Sequence, residues 1–147
     1  MSTTPTFSPA LVGQTESAFG AILDRELAGT GLTPPLWVAL NVALADSDGL
    51  DRDRLVRRVA IARNVDEPEA NAYIDDLAAA GLLRLPDDAR APVTVTDAGR
   101  QLRDRIGKAV GEVTQRLWGD LSGEDLATTG RVLSTILARA GQELSHT

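Results

Sequence analysis

Between Gly81 and Thr96 the hydrophobic pattern of this chain changes period, and it does so in no other interval. On both sides apolar residues recur at three- and four-residue steps, as in helices that bury one face. Inside the interval, Leu82-Leu83-Arg84-Leu85 and Val93-Thr94-Val95-Thr96 are short β-prone runs around Pro86-Asp87-Asp88-Ala89-Arg90-Ala91-Pro92. This pattern predicts one small hairpin with a proline-bounded tip. With aromatics at 3% and Ala, Leu, Val and Arg abundant, the composition favours helix over a strand-rich sandwich. The expected fold class is mainly α with a small β-hairpin wing.

The helices can be placed from their stripes and their ends. After Pro9, Leu11, Thr15, Ala18, Phe19, Ile22, Leu23 and Leu27 form a first stripe, which Gly29 and Gly31 end. Thr33-Pro34-Pro35 reads as an N-cap followed by proline in the first turn, where a missing N–H costs nothing. Leu36 to Ala45 is apolar nearly all round and should be central and buried. Asp46-Ser47-Asp48-Gly49 reads as a turn, and Asp51 caps an arginine-rich third helix whose apolar positions are Leu55, Val59 and Ile61. Asp66 and Pro68 open a fourth helix that buries Ala70, Tyr73, Ile74 and Leu77, and Gly81 closes it. Beyond the hairpin, Thr96 or Asp97 caps a long helix through Leu102, Ile106, Val110, Val113 and Leu117 to Trp118. Gly107 and Gly111 in that helix suggest close approach of a neighbour. Ser122-Gly123-Glu124-Asp125 opens the last helix, with Leu126, Val132, Leu133, Ile136 and Leu137 on one side.

Helices three and four with the hairpin make a winged helix-turn-helix. The terminal helices are too long and too apolar to serve that small unit alone, and a stripe with nothing left to cover it packs most simply against a second copy. The expected division is an N-terminal dimerisation helix over 1–32, a winged lobe over 33–100 with its wing at about 82–96, and C-terminal dimerisation helices over 101–147. Trp118 is assigned to the dimer interface. The chain has no cysteine and one histidine, His146, so a thiol nucleophile, a cysteine zinc site and a histidine metal cluster are not expected, nor is any cofactor. The first residues show no basic n-region followed by an apolar run, and no stretch is long enough to span a membrane. A cytoplasmic protein without a membrane partner is expected.

Four short stretches carry a resemblance to the MarR family of bacterial transcription regulators. Leu77-Ala78-Ala79-Ala80-Gly81-Leu82-Leu83 resembles the end of that family's recognition helix, and Val93-Thr94-Val95-Thr96-Asp97-Ala98-Gly99-Arg100 its second wing strand and following helix cap. Leu121-Ser122-Gly123-Glu124-Asp125-Leu126 is similar to the turn between the family's last helices, and Leu32-Thr33 with Trp37 and Leu40 to the start of its second helix. The resemblance implies a homodimer with interlocked terminal helices and one recognition helix per subunit in successive major grooves of double-stranded DNA. It also implies a small-molecule pocket between the dimer helices and the winged lobe.

The chain departs from the family pattern in two places. The family's recognition helix usually begins with Ser-x-Pro-Thr and continues with Thr and Arg, whereas this chain has Asp66-Glu67-Pro68-Glu69, then Asn71, Ala72, Asp75 and Asp76. From Asp66 to Ala80 there are five acids and no base, and acids near a groove meet phosphate repulsion. The wing keeps an Asp88-Ala89-Arg90 triplet, but the hairpin is shorter than the family's.

Candidate DNA-binding residues are Arg52, Arg54, Arg57, Arg58, Arg63, Asn71, Arg84 and Arg90. The five arginines of helix three read either as a grip on phosphates or as a solvated face paired with Asp51, Asp53 and the acids of helix four. Arg84 reads as a backbone contact or as protection for an edge strand. Arg90 reads as a groove contact or as half of an ion pair with Asp87 or Asp88. Candidate ligand-binding residues are Phe19, Leu23, Trp37, Leu40 and Tyr73, chosen because pockets are mostly apolar. No carboxylate pair stands out as catalytic, so an enzyme is not the expectation, and His146 at a frayable end has no assigned role. Two functions remain open: a ligand-responsive homodimeric DNA-binding regulator, acting as a repressor, or a similar dimer that has lost DNA binding and binds or transforms a small molecule.

Overall fold

The structure is a computed structural model that describes residues 5–46 and 48–146. Met1 to Thr4, on which the reading of the amino terminus rests, Ser47 of the expected turn, and Thr147 lie outside the described residues. The order is α1 (Pro9–Leu27), α2 (Pro34–Ala45), α3 (Arg52–Arg63), α4 (Glu67–Ala79), β1 (Leu83–Arg84), β2 (Thr94–Val95), α5 (Asp97–Trp118) and α6 (Gly123–Ser145). The strands pair antiparallel, with Leu83 opposite Val95 and Arg84 opposite Thr94. The fold is thus mainly helical with a small hairpin wing, as the change of period predicts.

The helix ends follow from side-chain chemistry. Asp51, Asp66 and Ser122 each accept a hydrogen bond from the backbone N–H three residues on, satisfying one orphan donor of α3, α4 and α6. Ser8 does the same for α1. Thr33 has extended backbone geometry before α2, yet its side chain makes no capping bond, and the two prolines supply the start. At the other end of α4, Gly81 N–H donates to Ala78 and Leu82 N–H to Leu77, with Gly81 at φ +79°. That pair of bonds is the Schellman closure, which requires a left-handed residue. The end of α3 closes in the same way through Asn64 at φ 54°, with Asn64 N–H on Ile61 and Val65 N–H on Ala60.

Two compact units divide between Val110 and Gly111, within α5. The first holds the core, where Leu40, Val59, Ala70, Ile74 and Leu77 have no exposed surface. As expected, α2 is central, meeting α1, α3, α4 and β2. Leu27 at the end of α1 is buried in this core, and Leu23 packs against it. In the second unit, no described residue of α6 is buried. Leu126, Val132, Leu133, Ile136, Leu137 and Leu144 all stay exposed there.

Three local expectations are corrected. Ile61 is 81% exposed rather than buried. The inner face of α3 is Leu55, Val56, Val59 and Ala60, and six residues beyond Leu55 the helix has turned Ile61 away from it. Of the two glycines expected at a close approach, a Cβ on Gly107 would lie 4.0 Å from the Trp37 ring, while one on Gly111 would meet nothing within 4 Å. A close approach does demand a glycine at Gly99: a Cβ there would stand 2.4 Å from the Leu82 carbonyl oxygen and 2.7 Å from Val95 Cγ1. Thr96 completes that junction. Its Oγ1 caps α5 by accepting from Gly99 N–H and donates to the Gly81 carbonyl, while its own N–H donates to Leu82.

One pairing has no counterpart in the sequence pattern. Leu50 bridges Val93, whose N–H donates to the Leu50 carbonyl at 2.8 Å. The segment between α2 and α3 thereby adds a third, one-residue edge to the wing.

Candidate nucleic-acid interface

The turn between α3 and α4 is short because both ends are chemically closed: Asn64 terminates one helix and Asp66 caps the next. The helices pack through Leu55, Val59, Ala70 and Ile74, all buried. This leaves the start of α3 beside one flank of α4. There Arg52 Nε donates to Asn71 Oδ1 at 2.9 Å, and Arg52 Nη2 reaches Asp75 Oδ1 at 2.6 Å. The Arg52 side chain is 30% exposed and that of Asp75 57%. Arg54 lies 3.8 Å from Asp51, a loose pair at the cap of its own helix.

Arg57 and Arg58 are exposed, and neither makes an ion pair among the described residues. Two free guanidinium groups on adjacent residues are thus available to a partner, while Arg52 is held within the fold. Arg63 is half-buried, and its Nε is enclosed without a hydrogen-bond partner among the described residues. Asp66 is occupied as a cap, and the Glu69 carboxylate accepts from the Tyr73 hydroxyl at 2.8 Å. That bond raises the Tyr73 pKa above its ordinary 10.0, with desolvation and the Glu69 charge adding to it. Glu67 and Asp76 have no side-chain partner among the described residues and remain open acids on α4.

In the wing, Arg84 and Arg90 are exposed. Asp88 accepts from the Arg90 backbone N–H at 2.9 Å, an Asx turn at the tip. Arg90 forms no ion pair with Asp87 or Asp88 among the described residues. Arg84 and Asp87 flank a shallow cleft of about 360 Å³ with Pro86, Pro92 and Thr94.

The residues expected to line a ligand pocket are not brought together on one open surface. Leu40 is wholly enclosed in the core: the α2 face that carries it meets α3 and α4. Tyr73 is on α4 with its hydroxyl on Glu69. Leu23 and Trp37 pack partly buried against the core, and Phe19 is 43% exposed on α1. A cleft of about 320 Å³ opens instead at the end of α2, lined by Asn41, Leu44, Ala45, Arg100, Arg103 and Asp104. Arg103 Nε donates to Asn41 Oδ1 at 3.1 Å, and Arg100 also borders a second cleft running to Gly49 and β2. Sequence patterning singled out none of these cleft residues as a ligand contact, because nothing in the one-dimensional pattern joins α2 to the first turns of α5. Among the described residues no cluster of acids or histidine could hold a metal ion, and no helix is long and apolar enough to cross a membrane.

A helix-turn-helix with a wing, arginines on the first helix and a capped second helix define the class of protein as a winged helix-turn-helix. A helix-turn-helix family model matches residues 26–144, and the chain belongs to that family. Its fold is that of MarR-family regulators, with an acidic second helix and a short wing. A MarR-family transcriptional regulator from Silicibacter pomeroyi is 26% identical with a TM-score of 0.72, covering 90% of this chain and 89% of its own. CouR from Rhodococcus jostii RHA1, solved bound to p-coumaroyl-CoA, is 22% identical with a TM-score of 0.74, covering 86% and 88%. S. aureus MepR, solved in complex with DNA, is 20% identical with a TM-score of 0.75, covering 93% and 99%. No curated protein matches the chain significantly by sequence.

Proposed function

We propose that this protein is a cytoplasmic, homodimeric, DNA-binding transcription regulator of MarR type, a repressor released by a small-molecule ligand. The observation that carries the reading is the pair of unengaged arginines, Arg57 and Arg58, on the first helix of a helix-turn-helix whose second helix is fully capped. Phosphate contacts fix the register of such a unit on a duplex, and arginine suits them through its bidentate geometry. Arg52 supports the reading from another side, since it neutralises one acid of α4 and so lowers that helix's repulsion of phosphate. The exposed apolar stripe of α6 supports the dimer, which would place two copies of α4 one DNA turn apart. MepR was solved with DNA and CouR with an acyl-CoA, and both kinds of partner fit a chain of this fold. For the ligand, the polar cleft at Arg100 and Arg103 is a second candidate beside the region of Phe19, Leu23 and Trp37.

A mobility-shift titration with the DNA upstream of the protein's own gene, repeated at several salt concentrations, tests the reading. Binding should weaken steeply with salt. The double substitution Arg57→Ala, Arg58→Ala should lower the salt slope by about two, one for each phosphate no longer neutralised. A second reading rests on Glu67 and Asp76, which face solvent uncompensated: a dimer that has given up operator binding and retains or transforms a small molecule. Absence of any shift at the lowest salt would favour it.

A further inference from the structure

The cleft at the end of α2 is bordered by two arginines from the first turns of α5, Arg100 and Arg103, which stand three residues apart and so share one helical face. One of them is held. Arg103 Nε donates to Asn41 Oδ1 at 3.1 Å, and the Asn41 amide is itself oriented by donating to the Trp37 carbonyl at 2.8 Å. Asp104 lies 3.5 Å from Arg103 Nη1 and offsets part of its charge. Arg100 is different: its exposed side chain makes no ion pair and no hydrogen bond among the described residues. It also borders the second cleft, of about 240 Å³, which shares Leu44 with the first and is lined further by Ala43, Val93 and Val95, with the exposed Asp48 at its edge.

We propose that Arg100, with Arg103 fixed beside it by Asn41, binds the carboxylate of a small apolar acid whose body lies along Leu44. The guanidinium fork takes both carboxylate oxygens, and Ala45 of the first cleft and Val93 and Val95 of the second offer apolar wall on either side. The larger cleft, about 320 Å³, is near the lower end of ligand pockets and suits a small acid rather than a coenzyme. A bare phosphate would gain nothing from the leucine and the valines. The inference rests on the ligand-binding part of the reading above and deepens it, choosing this cleft over the region of Phe19, Leu23 and Trp37 and naming the class of ligand.

The test is isothermal titration of the full-length protein with hexanoate and with phenylacetate, beside hexanamide, phenylacetamide and inorganic phosphate. At least one of the two acids should bind about tenfold more tightly than its amide, the scale of one charge-assisted hydrogen bond. Phosphate should bind no better than the amides. Arg100→Gln should erase the preference for the acid and leave the amide as it was. Arg100→Lys keeps the charge without the fork and should lose part of the preference, which guards against an Arg100→Gln variant that folds poorly. Asn41→Ala releases Arg103 and should weaken the acid severalfold. Arg105→Gln removes the same charge from the same helix outside both clefts and should change nothing. Equal binding of acid and amide, no binding of either acid at millimolar concentration, tighter binding of phosphate, or a preference that survives Arg100→Gln overturns the inference. A mobility shift of DNA by the same preparation then leaves the DNA-binding reading standing. Acid binding that depends on Arg100 without any DNA shift upholds the inference and overturns the regulator.

Discussion

The winged lobe and the last helix use similar apolar residues to opposite ends. In the lobe, Leu40, Leu55, Val59, Ile74 and Leu77 lie within 1% of complete burial, drawn from three helices that close on one another. In α6, Leu133 is 41% and Leu137 75% exposed, and no described residue of the helix is buried. The helices α3, α4 and α6 all read from sequence as amphipathic, so periodicity alone does not tell an internal core from an external one. What separates them is supply: α2, α3 and α4 have each other, whereas no described residue of α6 is buried. That difference is the physical case for a second copy.

Four measurements bear on the contrast between the lobe and α6. Ile74→Ala removes a fully enclosed side chain and should cost about 3 kcal/mol, read as a lowered midpoint in chemical denaturation. Asp66→Ala should cost about 1 kcal/mol in the same assay by removing the cap bond to Glu69 N–H. The pair Leu133→Glu, Leu137→Glu should change the stability of dilute protein by no more than about 0.5 kcal/mol, as surface substitutions do. The same pair should abolish self-association in sedimentation and with it any dependence of the melting midpoint on concentration. If it instead unfolds the lobe as Ile74→Ala does, the contrast between internal and external stripes is wrong.

The smallest effect is electrostatic. The chain has a single tyrosine, so tyrosinate absorbance reports Tyr73 alone. Its titration should have a midpoint above 10.0, because the phenol donates to the Glu69 carboxylate. Raising the folded pKa makes the folded state hold its proton more tightly than the unfolded chain does. The associated stability is complete below pH 10.0 and is lost as pH rises through the folded value. Glu69→Gln should move the midpoint back towards the ordinary value.

Features that depend on neighbours in sequence were legible in it. The Asp51, Asp66 and Ser122 caps, the Gly81 closure, the hairpin and the order of elements follow from short-range chemistry. The MarR-like fold rests on that order. The exposure of Ile61 and the Leu50–Val93 bridge depend on how helices rotate and where distant segments meet, which spacing does not encode. The candidate interface divides the same way. The arginines of α3 stand out in composition, but the engagement of Arg52 by Asn71 and Asp75 spans 19 and 23 residues. It separates one arginine of the cluster from Arg57 and Arg58, and no count of charges could have drawn that line.

Gly99 has a mechanical consequence. From Asp97 to Val110, the part of α5 that belongs to the first unit, an unbroken helix rises about 20 Å. Its first turn sits against the Leu82 carbonyl with no gap for a methyl group, and Thr96 ties the joint on both sides. The wing and the start of α5 are thus fitted backbone against backbone, so Gly99→Ala would have to prise one from the other.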